Sequence, residues 1–190
     1  HRNVIHLGER ECSVQRRYQK LLEESPSPAL TKRLRERMGA VAVKAAQAVG
    51  YTNVGTIEFL VDPRRHFYFI EMNTRVQVEH PVTEMTTGID VVQAGIRSAA
   101  GERLPWRQKD VVFSGCAIEC RVVAEDPLTM LPSPGTIRAY HPPGGIGVRV
   151  ESGVMENSIV PIYYDSLVAK VIVSGQTRDE AVRRMRAALS

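Results

Sequence analysis

Two β-rich runs separated by a short polar turn constrain the fold of this chain more than any other feature. The runs cover residues 55–61 and 67–73 of the 190-residue sequence, and the turn between them contains Asp, Pro and two Arg. β-Branched and aromatic residues on both sides of such a turn predict an antiparallel hairpin. Any fold for this chain therefore has to contain an antiparallel β element.

The predicted hairpin brings acidic side chains together. If Asp62 pairs with Phe67 across the four intervening residues, Glu58 lies directly opposite Glu71. Directly opposed Cβ atoms are about 4.5–5.5 Å apart, and like charges at that distance repel each other. Asn73 lies on the same strand face as Glu71, so the three side chains form an oxygen cluster. Such a cluster predicts a Mg2+ or Mn2+ site; the alternative is a solvated face on which each Glu pairs with an Arg.

The composition is that of an ordinary globular protein. Apolar residues make up 43% and charged residues 24%, which excludes a disordered tail. The net charge is +4 and Arg greatly outnumbers Lys, which favours bidentate contacts with oxyanions over diffuse binding to nucleic acid. We expect neither a membrane span nor a signal peptide. Three cysteines without C-x-x-C spacing argue against a disulfide framework and a Cys-rich zinc site, and they fit a reducing compartment.

Helical patterns occur at four places in the chain. An apolar stripe at three-to-four spacing runs from Leu30 to Val49 and stops at Gly50. A short helix is predicted after Pro81, and a longer one over residues 90–100. A capping box at residues 177–180 begins a final helix.

Near residues 107–111 the sequence pattern changes to one that predicts mainly strands and turns. Strands are predicted over residues 3–7, 111–124, 136–140, 148–151 and 167–173. The predicted fold is α+β: an antiparallel sheet with packed helices, followed by a β-rich domain that ends in a helix. We place the two domains at residues 1–108 and 109–190, the second cut short at its end. An unpaired strand at residues 3–7 predicts self-association through its open edge.

In residues 69–84, FIEMNTRVQVEHPVTE, the second hairpin strand is followed directly by the guanidinium of Arg75, the amide of Gln77 and a third carboxylate, that of Glu79. This run resembles the signature sequence of the biotin carboxylases. Further segments that resemble the family are residues 9–17, 51–59, 119–127, 132–135 and 163–166. The resemblance covers essentially the whole chain. It corresponds to the C-terminal half of a biotin carboxylase, namely the end of the ATP-grasp module and the biotin carboxylase C-terminal domain.

The resemblance implies an ATP-dependent ligase. Biotin carboxylases form carboxyphosphate from MgATP and bicarbonate, and then carboxylate N1 of biotin held on a separate carrier. The resemblance implies three partners: a biotin carboxyl carrier protein or domain, a carboxyltransferase and a second copy of the chain. It further implies a cytoplasmic location, or the mitochondrial matrix in a eukaryote, without a role for nucleic acid or membranes.

The resemblance assigns the metal and nucleotide contacts residue by residue. Glu58, Glu71 and Asn73 correspond to the ligands of the metal ions that bridge the ATP phosphates, in agreement with the hairpin geometry. Glu58, Glu71 and Tyr18 correspond to ATP contacts. Many members of the family have His at the position of Tyr18, and a phenol, unlike an imidazole, does not become cationic near neutral pH.

The resemblance also assigns a bicarbonate pocket. Lys20, Arg75, Gln77 and the backbone of Val78 match it, and cations with N–H donors suit a small oxyanion. Lys20 and Arg75 count as catalytic in this assignment. Glu79 matches the general base that deprotonates bicarbonate, because a carboxylate beside two cations stays ionised at neutral pH.

Arg121 matches the residue that binds bicarbonate or biotin and stabilises the biotin enolate. Alternation along its strand places Glu119 on the same face, so the alternative for Arg121 is a Glu119 salt bridge on a solvated face. Cys116 and Cys120 fall on the opposite, apolar face. His80 is interpreted as a structural residue that fixes the loop carrying the base.

The sequence contains no Gly-rich phosphate loop, and Gly144 and Gly145 are interpreted as a β-turn. We therefore expect the chain alone to be inactive. It also contains no Met-Lys-Met biotinylation site, so biotin arrives on another part or polypeptide. Two alternatives remain open at this point: another ATP-grasp enzyme such as a carbamoyl phosphate synthetase, and a non-catalytic dimerisation module.

Overall fold

The computed structural model describes residues 3–190, which form two compact units. The first unit contains the residues through Glu11 together with Ser25–Ser114, and the second contains Cys12–Glu24 together with Gly115–Ser190. The chain therefore enters the second unit early, returns to the first, and then completes the second. Both units combine helices with antiparallel strands, which confirms the predicted α+β class.

The secondary-structure elements follow one another in this order. The strands are β1 (Glu11–Arg16), β2 (Gln19–Ser25), β3 (Thr56–Val61), β4 (Phe67–Asn73), β5 (Cys116–Val123), β6 (Gly135–Thr136), β7 (Val148–Ser152), β8 (Ile159–Val160) and β9 (Leu167–Gly175). The helices are α1 (Lys32–Ala48), α2 (His80–Thr87), α3 (Val91–Ala99) and α4 (Arg178–Ala188). Within the described residues, none of these helices is long and apolar enough to cross a membrane.

Helix α1 of the first unit forms where the apolar stripe predicts it. Oγ1 of Thr31 accepts a hydrogen bond from the Leu34 N–H at 3.3 Å and so caps the helix. Leu34 and Met38 are buried. Gly50 follows the end of the helix with a φ of 62°, the left-handed conformation that commonly terminates helices.

Helices α2 and α3 complete the buried part of the first unit. Val82 is fully buried in α2, and Val91 is buried in α3. Pro81 occupies the first turn of α2, where its missing N–H costs nothing. Asp90 caps α3, because its Oδ1 accepts from the Gln93 N–H at 2.7 Å. Both predicted helices are confirmed.

The predicted strand at residues 3–7 is wrong. Within the described residues 3–190 this segment forms no strand, and a side chain from later in the chain occupies the backbone groups of His6. The His6 N–H donates to Oε1 of Gln108 at 2.8 Å, and Nε2 of Gln108 donates back to the His6 carbonyl at 3.0 Å. Since no strand edge exists there, the predicted self-association through that edge loses its basis.

The second unit is built on a five-stranded sheet in the order β1-β2-β5-β9-β7. Strand β9 lies between β5 and β7 and is antiparallel to both. A separate short pair joins β6 to β8. The sheet therefore combines the hairpin β1–β2 from the N-terminal part of the chain with three strands from its C-terminal part.

The core of the second unit lies between this sheet and α4. Ile118, Val171, Val173, Ala181 and Met185 form a buried apolar cluster. Cys116 and Cys120 pack against it, which confirms them as core thiols. Burial raises the pKa of the Cys120 thiol to about 11, so this thiol stays protonated and weakly reactive at neutral pH.

Helix α4 begins at the predicted capping box. Oγ1 of Thr177 accepts from the Glu180 N–H at 3.2 Å. The return bond differs from the expected one, because Oε2 of Glu180 accepts from the Gln176 N–H at 2.7 Å, one residue earlier than the cap. The carboxylate thus satisfies a backbone donor just outside the helix.

Two predicted strands are shorter than expected. The strand predicted over residues 111–124 begins only at Cys116, because Gly115 turns the chain with a φ of 65°. The strand predicted over residues 136–140 ends at Thr136. One further residue, Ile137, exchanges backbone hydrogen bonds with the segment before β8: its N–H donates to the Ser158 carbonyl, and its carbonyl accepts from the Asn157 N–H. The chain turns at Asn157, whose φ is 68°.

Candidate functional site

The hairpin of the first unit places Glu58 directly opposite Glu71, as predicted. Its register shifts by one residue immediately after this pair. Phe59 pairs with Phe69, so Ile70 is the extra residue of a β-bulge next to the acidic pair. The bulge therefore lies beside the candidate metal carboxylates and helps to set their direction.

The turn of the hairpin differs from the turn assumed in the prediction. Val61, not Asp62, pairs with Phe67, so the connection is one residue longer than expected. Oδ1 of Asp62 accepts from the His66 N–H at 2.8 Å, and this backbone hydrogen bond is the main reason why the pKa of the Asp62 carboxyl is lowered. The longer connection and the bulge compensate each other, and the acidic pair results from both.

Side-chain amides surround the two carboxylates. Nδ2 of Asn73 donates to Oε1 of Glu71 at 2.7 Å and to Oε1 of Glu58 at 3.2 Å. Nε2 of Gln77 donates to the same Glu58 oxygen at 2.6 Å. The predicted cluster therefore forms, with amide N–H groups reducing the repulsion between like charges. Two opposed carboxylates fit a hard divalent cation, and Asn73 would have to turn its amide over to offer Oδ1.

Arg10 is a residue of this site that the sequence did not reveal. Its Nη2 donates to Oε1 of Gln77 at 2.6 Å and to Oγ1 of Thr56 at 2.9 Å, and its Nη1 donates to Oγ1 of Thr83 at 3.0 Å. The guanidinium thereby fixes which end of the Gln77 amide faces Glu58. Because these partners are far apart in sequence, no local spacing could have identified Arg10.

The segment between β4 and α2 carries the remaining predicted residues of the first unit. Glu79 occupies the cap position of α2 and is 2% exposed. Nδ1 of His80 lies 2.8 Å from the Gln77 carbonyl, a contact consistent with the structural role predicted for His80. Arg75 is exposed and donates to the Val76 carbonyl at 3.2 Å. Val78 is half-buried in the same segment.

Lys20, Tyr18 and Arg121 belong to the second unit. Tyr18 lies in the two-residue turn between β1 and β2, where both Arg17 and Tyr18 have positive φ. Its side chain is 97% exposed. Lys20 is half-buried at the start of β2, and Arg121 lies on β5.

Arg121 forms an ion pair with Glu23. Nε and Nη2 of Arg121 donate to Oε1 of Glu23 at 2.7 and 2.6 Å, and Glu23 is fully buried on β2. The alternative partner Glu119 is therefore wrong, because within residues 3–190 neither of its oxygens has a hydrogen-bond partner. The face that Glu119 shares with Arg121 is also not solvated, since Glu119 is fully buried.

Burial changes the protonation of Glu119. Desolvation raises the pKa of its carboxyl to about 8, although the nearby cation Lys170 acts in the opposite direction. The negative charge of Glu23 adds to the increase. Glu119 is consequently a largely neutral acid at pH 7, whereas Glu23 carries the ion pair with Arg121.

Comparisons with known proteins match both parts of the sequence. Residues 1–107 match the family described as carbamoyl-phosphate synthase L chain, ATP binding domain. Residues 119–190 match the biotin carboxylase C-terminal domain.

Two curated proteins resemble the chain over almost its whole length. It is 60% identical over 190 residues to Biotin carboxylase 1 of Bacillus subtilis, covering 99% of this chain and 42% of that protein. It is 61% identical over 188 residues to the biotin carboxylase of a Nostoc species, covering 98% of this chain and 42% of that protein. The chain thus spans less than half the length of these relatives.

Two solved structures also resemble the chain over almost its whole length. The Hydrogenobacter thermophilus 2-oxoglutarate carboxylase biotin carboxylase domain dimer, in complex with MgADP, ADP and bicarbonate, superposes with a TM-score of 0.97 and 56% identity, covering 99% of this chain and 42% of that one. The biotin carboxylase subunit of pyruvate carboxylase superposes with a TM-score of 0.96 and 55% identity, covering 100% of this chain and 42% of that one.

Proposed function

This chain belongs to the biotin carboxylase family, and from that premise we propose what the full-length polypeptide that carries it, the parent protein, does. The parent protein forms carboxyphosphate from MgATP and bicarbonate and transfers the carboxyl group to N1 of biotin on a separate carrier. The single observation that supports this most directly is the contact of Glu58 with Gln77, which joins a paired-carboxylate cluster to the Arg75–Glu79 segment.

Glu58 and Glu71 are the proposed cation ligands, with Asn73 as a third and with both carboxylates close to the ATP phosphates. A bound Mg2+ or Mn2+ neutralises phosphate charge during phosphoryl transfer. The protein contributes two carboxylates held opposite each other across a hairpin. Tyr18 is the proposed nucleotide contact of the second unit.

Bicarbonate is the proposed substrate of the segment that follows β4. Arg75, Gln77 and the Val78 N–H bind the anion, and Lys20 has the binding and catalytic role that the resemblance implies. Glu79 takes the bicarbonate proton as general base. Its position at 2% exposure beside α2 suits this task, because a buried base exchanges its proton with a bound substrate rather than with bulk water.

Arg121 is the proposed residue for the second half-reaction. A guanidinium already fixed by a buried carboxylate can face the negative charge that develops on the biotin ureido oxygen without moving at the moment of reaction. This preorganisation distinguishes Arg121 from an exposed cation.

The proposed context follows the family. We place the ATP-grasp part at residues 1–108 and the biotin carboxylase C-terminal domain at residues 109–190. A biotin carboxyl carrier, a carboxyltransferase and a second copy of the chain are the proposed partners, and the cytoplasm, or the matrix in a eukaryote, is the proposed location.

The carbamoyl phosphate synthetase alternative has less support. The family that matches residues 1–107 carries that enzyme's description, but residues 119–190 match a domain described for biotin carboxylase. The two hypotheses predict different co-substrates, namely biotin and ammonia.

The test is ATP cleavage by the purified parent protein with bicarbonate, with and without free biotin. We expect cleavage to require bicarbonate and to increase with biotin, with carboxybiotin as product. Carbamoyl phosphate formed from ammonia would establish the alternative instead. Absence of any bicarbonate response, together with concentration-dependent dimerisation, would establish a non-catalytic module.

A further inference from the structure

A row of four charged side chains crosses the sheet of the second unit. Glu23 lies on β2, Arg121 on β5, Lys170 on β9 and Glu151 on β7, and these strands are neighbours in that order. Arg121 and Lys170 are directly paired in the β5–β9 register, and Lys170 and Glu151 are paired in the β7–β9 register. The charges therefore follow the order minus, plus, plus, minus across four strands.

The two cations in the middle of the row repel each other. Like charges on directly opposed residues destabilise a sheet unless each has another partner. Nζ of Lys170 lies 2.7 Å from Oε2 of Glu151, on the side away from β5. Arg121 binds Glu23 on the side away from β9. The repulsion from Lys170 and the attraction of Glu23 thus act in the same direction on the Arg121 guanidinium, while Glu151 holds Lys170 on the far side.

The contact between Arg121 and Glu23 is well defined. Nε and Nη2 both contact Oε1 of Glu23, so one edge of the planar guanidinium is held. Glu23 has no exposed surface, and the Arg121 side chain is 17% exposed. A buried carboxylate cannot exchange this partner for water, so its position determines that of the guanidinium.

Glu119 provides an internal comparison. It lies two residues before Arg121 on β5, is fully buried, and forms no hydrogen bond with the guanidinium. Proximity to Arg121 and burial are therefore common to both acids, whereas the direct contact belongs to Glu23.

We propose that Glu23 is a positioning residue for biotin carboxylation, acting through Arg121, with the Lys170–Glu151 pair holding the opposing cation in place. This inference rests on the proposed function and extends it to a residue that the family resemblance did not assign. Glu23 touches neither substrate nor reacting atoms in this scheme. Its effect is confined to the step in which Arg121 takes part.

The experiment compares Glu23→Gln, Glu23→Asp, Arg121→Gln and the matched control Glu119→Gln in the parent protein. Bicarbonate-dependent ATP cleavage without biotin and kcat/KM for biotin are measured separately. We expect Glu23→Gln to lower kcat/KM for biotin by about tenfold or more while ATP cleavage stays within about twofold. Glu23→Asp should restore part of the loss, and Glu119→Gln should leave both rates unchanged, because the acid it replaces is already largely neutral at pH 7.

A double variant separates positioning from a general structural effect. Adding Glu23→Gln to Arg121→Gln should cause little further loss, because both changes remove the same element. Additive losses, or equal losses in both assays, would overturn the proposal. If Glu23→Gln fails to fold, Glu23→Asp decides, with an intermediate biotin defect expected and a wild-type biotin rate contradicting the proposal. A wild-type protein that shows no biotin response would instead refute the proposed function itself.

Discussion

Nε2 of Gln77 donates a hydrogen bond to Oε1 of Glu58 at 2.6 Å. The same amide accepts from Arg10 through its oxygen at 2.6 Å, so its orientation is fixed at both ends. Glu58 is a proposed metal ligand and Gln77 a proposed bicarbonate ligand. The two proposed subsites are therefore connected by a single side chain, and a change in one should be detectable in the other.

The first prediction concerns the acidic pair. In the 190-residue chain, Glu71→Gln should weaken Mn2+ binding by about fivefold or more, because one of two opposed anionic ligands loses its charge. Electron paramagnetic resonance of free Mn2+ during a titration measures this. Glu36→Gln, on the exposed side of α1, serves as the control and should bind as the unmodified chain does. Equal affinity in Glu71→Gln and the control would rule out the site.

The second prediction separates the two half-reactions. In the parent protein, Glu79→Gln should suppress every bicarbonate-dependent step, because bicarbonate would keep its proton. Arg121→Gln should spare bicarbonate-dependent ATP cleavage and reduce biotin carboxylation. Steady-state assays with and without biotin measure both, and the opposite pattern would exchange the two roles.

The acidic pair could be predicted from the sequence because strand alternation and turn length act locally. Even there, the predicted hairpin loop was one residue shorter than the observed one, and the acidic pair forms because a bulge at Ile70 shifts the register, which the sequence pattern does not encode. Side-chain contacts between residues far apart in sequence were harder to predict. Arg121 has Glu119 two residues away on its own strand and Glu23, distant in sequence, on β2, and periodicity alone favoured the wrong one.

The third prediction concerns Arg10. Arg10→Lys keeps the charge but cannot reach Gln77, Thr56 and Thr83 together, so the Gln77 amide loses its fixed orientation. We expect KM for bicarbonate to rise by about tenfold in the parent protein, with a smaller change in kcat. Arg35→Lys, which alters a different ion pair of the same unit with Glu9, is the control. A loss of thermal stability with an unchanged KM would show that Arg10 is only structural.

The fourth prediction concerns pH and Glu119. In the folded chain its pKa is about 8, compared with an ordinary value near 4.5, so between these values the folded state holds a proton that the unfolded state has released. Stability from this group is therefore fully present below about pH 4.5 and is lost as pH rises towards 8, where the slope ends.

Glu119→Gln should remove this pH dependence. The variant and the unmodified chain should have similar unfolding free energies near pH 5, and the variant should be more stable at pH 8.5 by an amount on the order of 1–4 kcal/mol. Denaturant unfolding across that pH range measures the difference, with Glu156→Gln as an exposed control. Parallel pH profiles for Glu119→Gln and the unmodified chain would contradict the assignment.

The last prediction concerns the 190-residue chain by itself. It spans 42% of the length of the Bacillus subtilis relative, and its sequence contains no Gly-rich phosphate loop. Phosphoryl transfer requires several elements to position and neutralise the phosphates at once, and the carboxylate pair supplies only one of them. We therefore expect the purified chain to fold, to show a cooperative unfolding transition, and to lack ATP cleavage that depends on bicarbonate and biotin. The Bacillus subtilis protein assayed in parallel is the positive control. Cleavage by the 190-residue chain at a rate near that of the control would show that these residues contain a complete site for ATP.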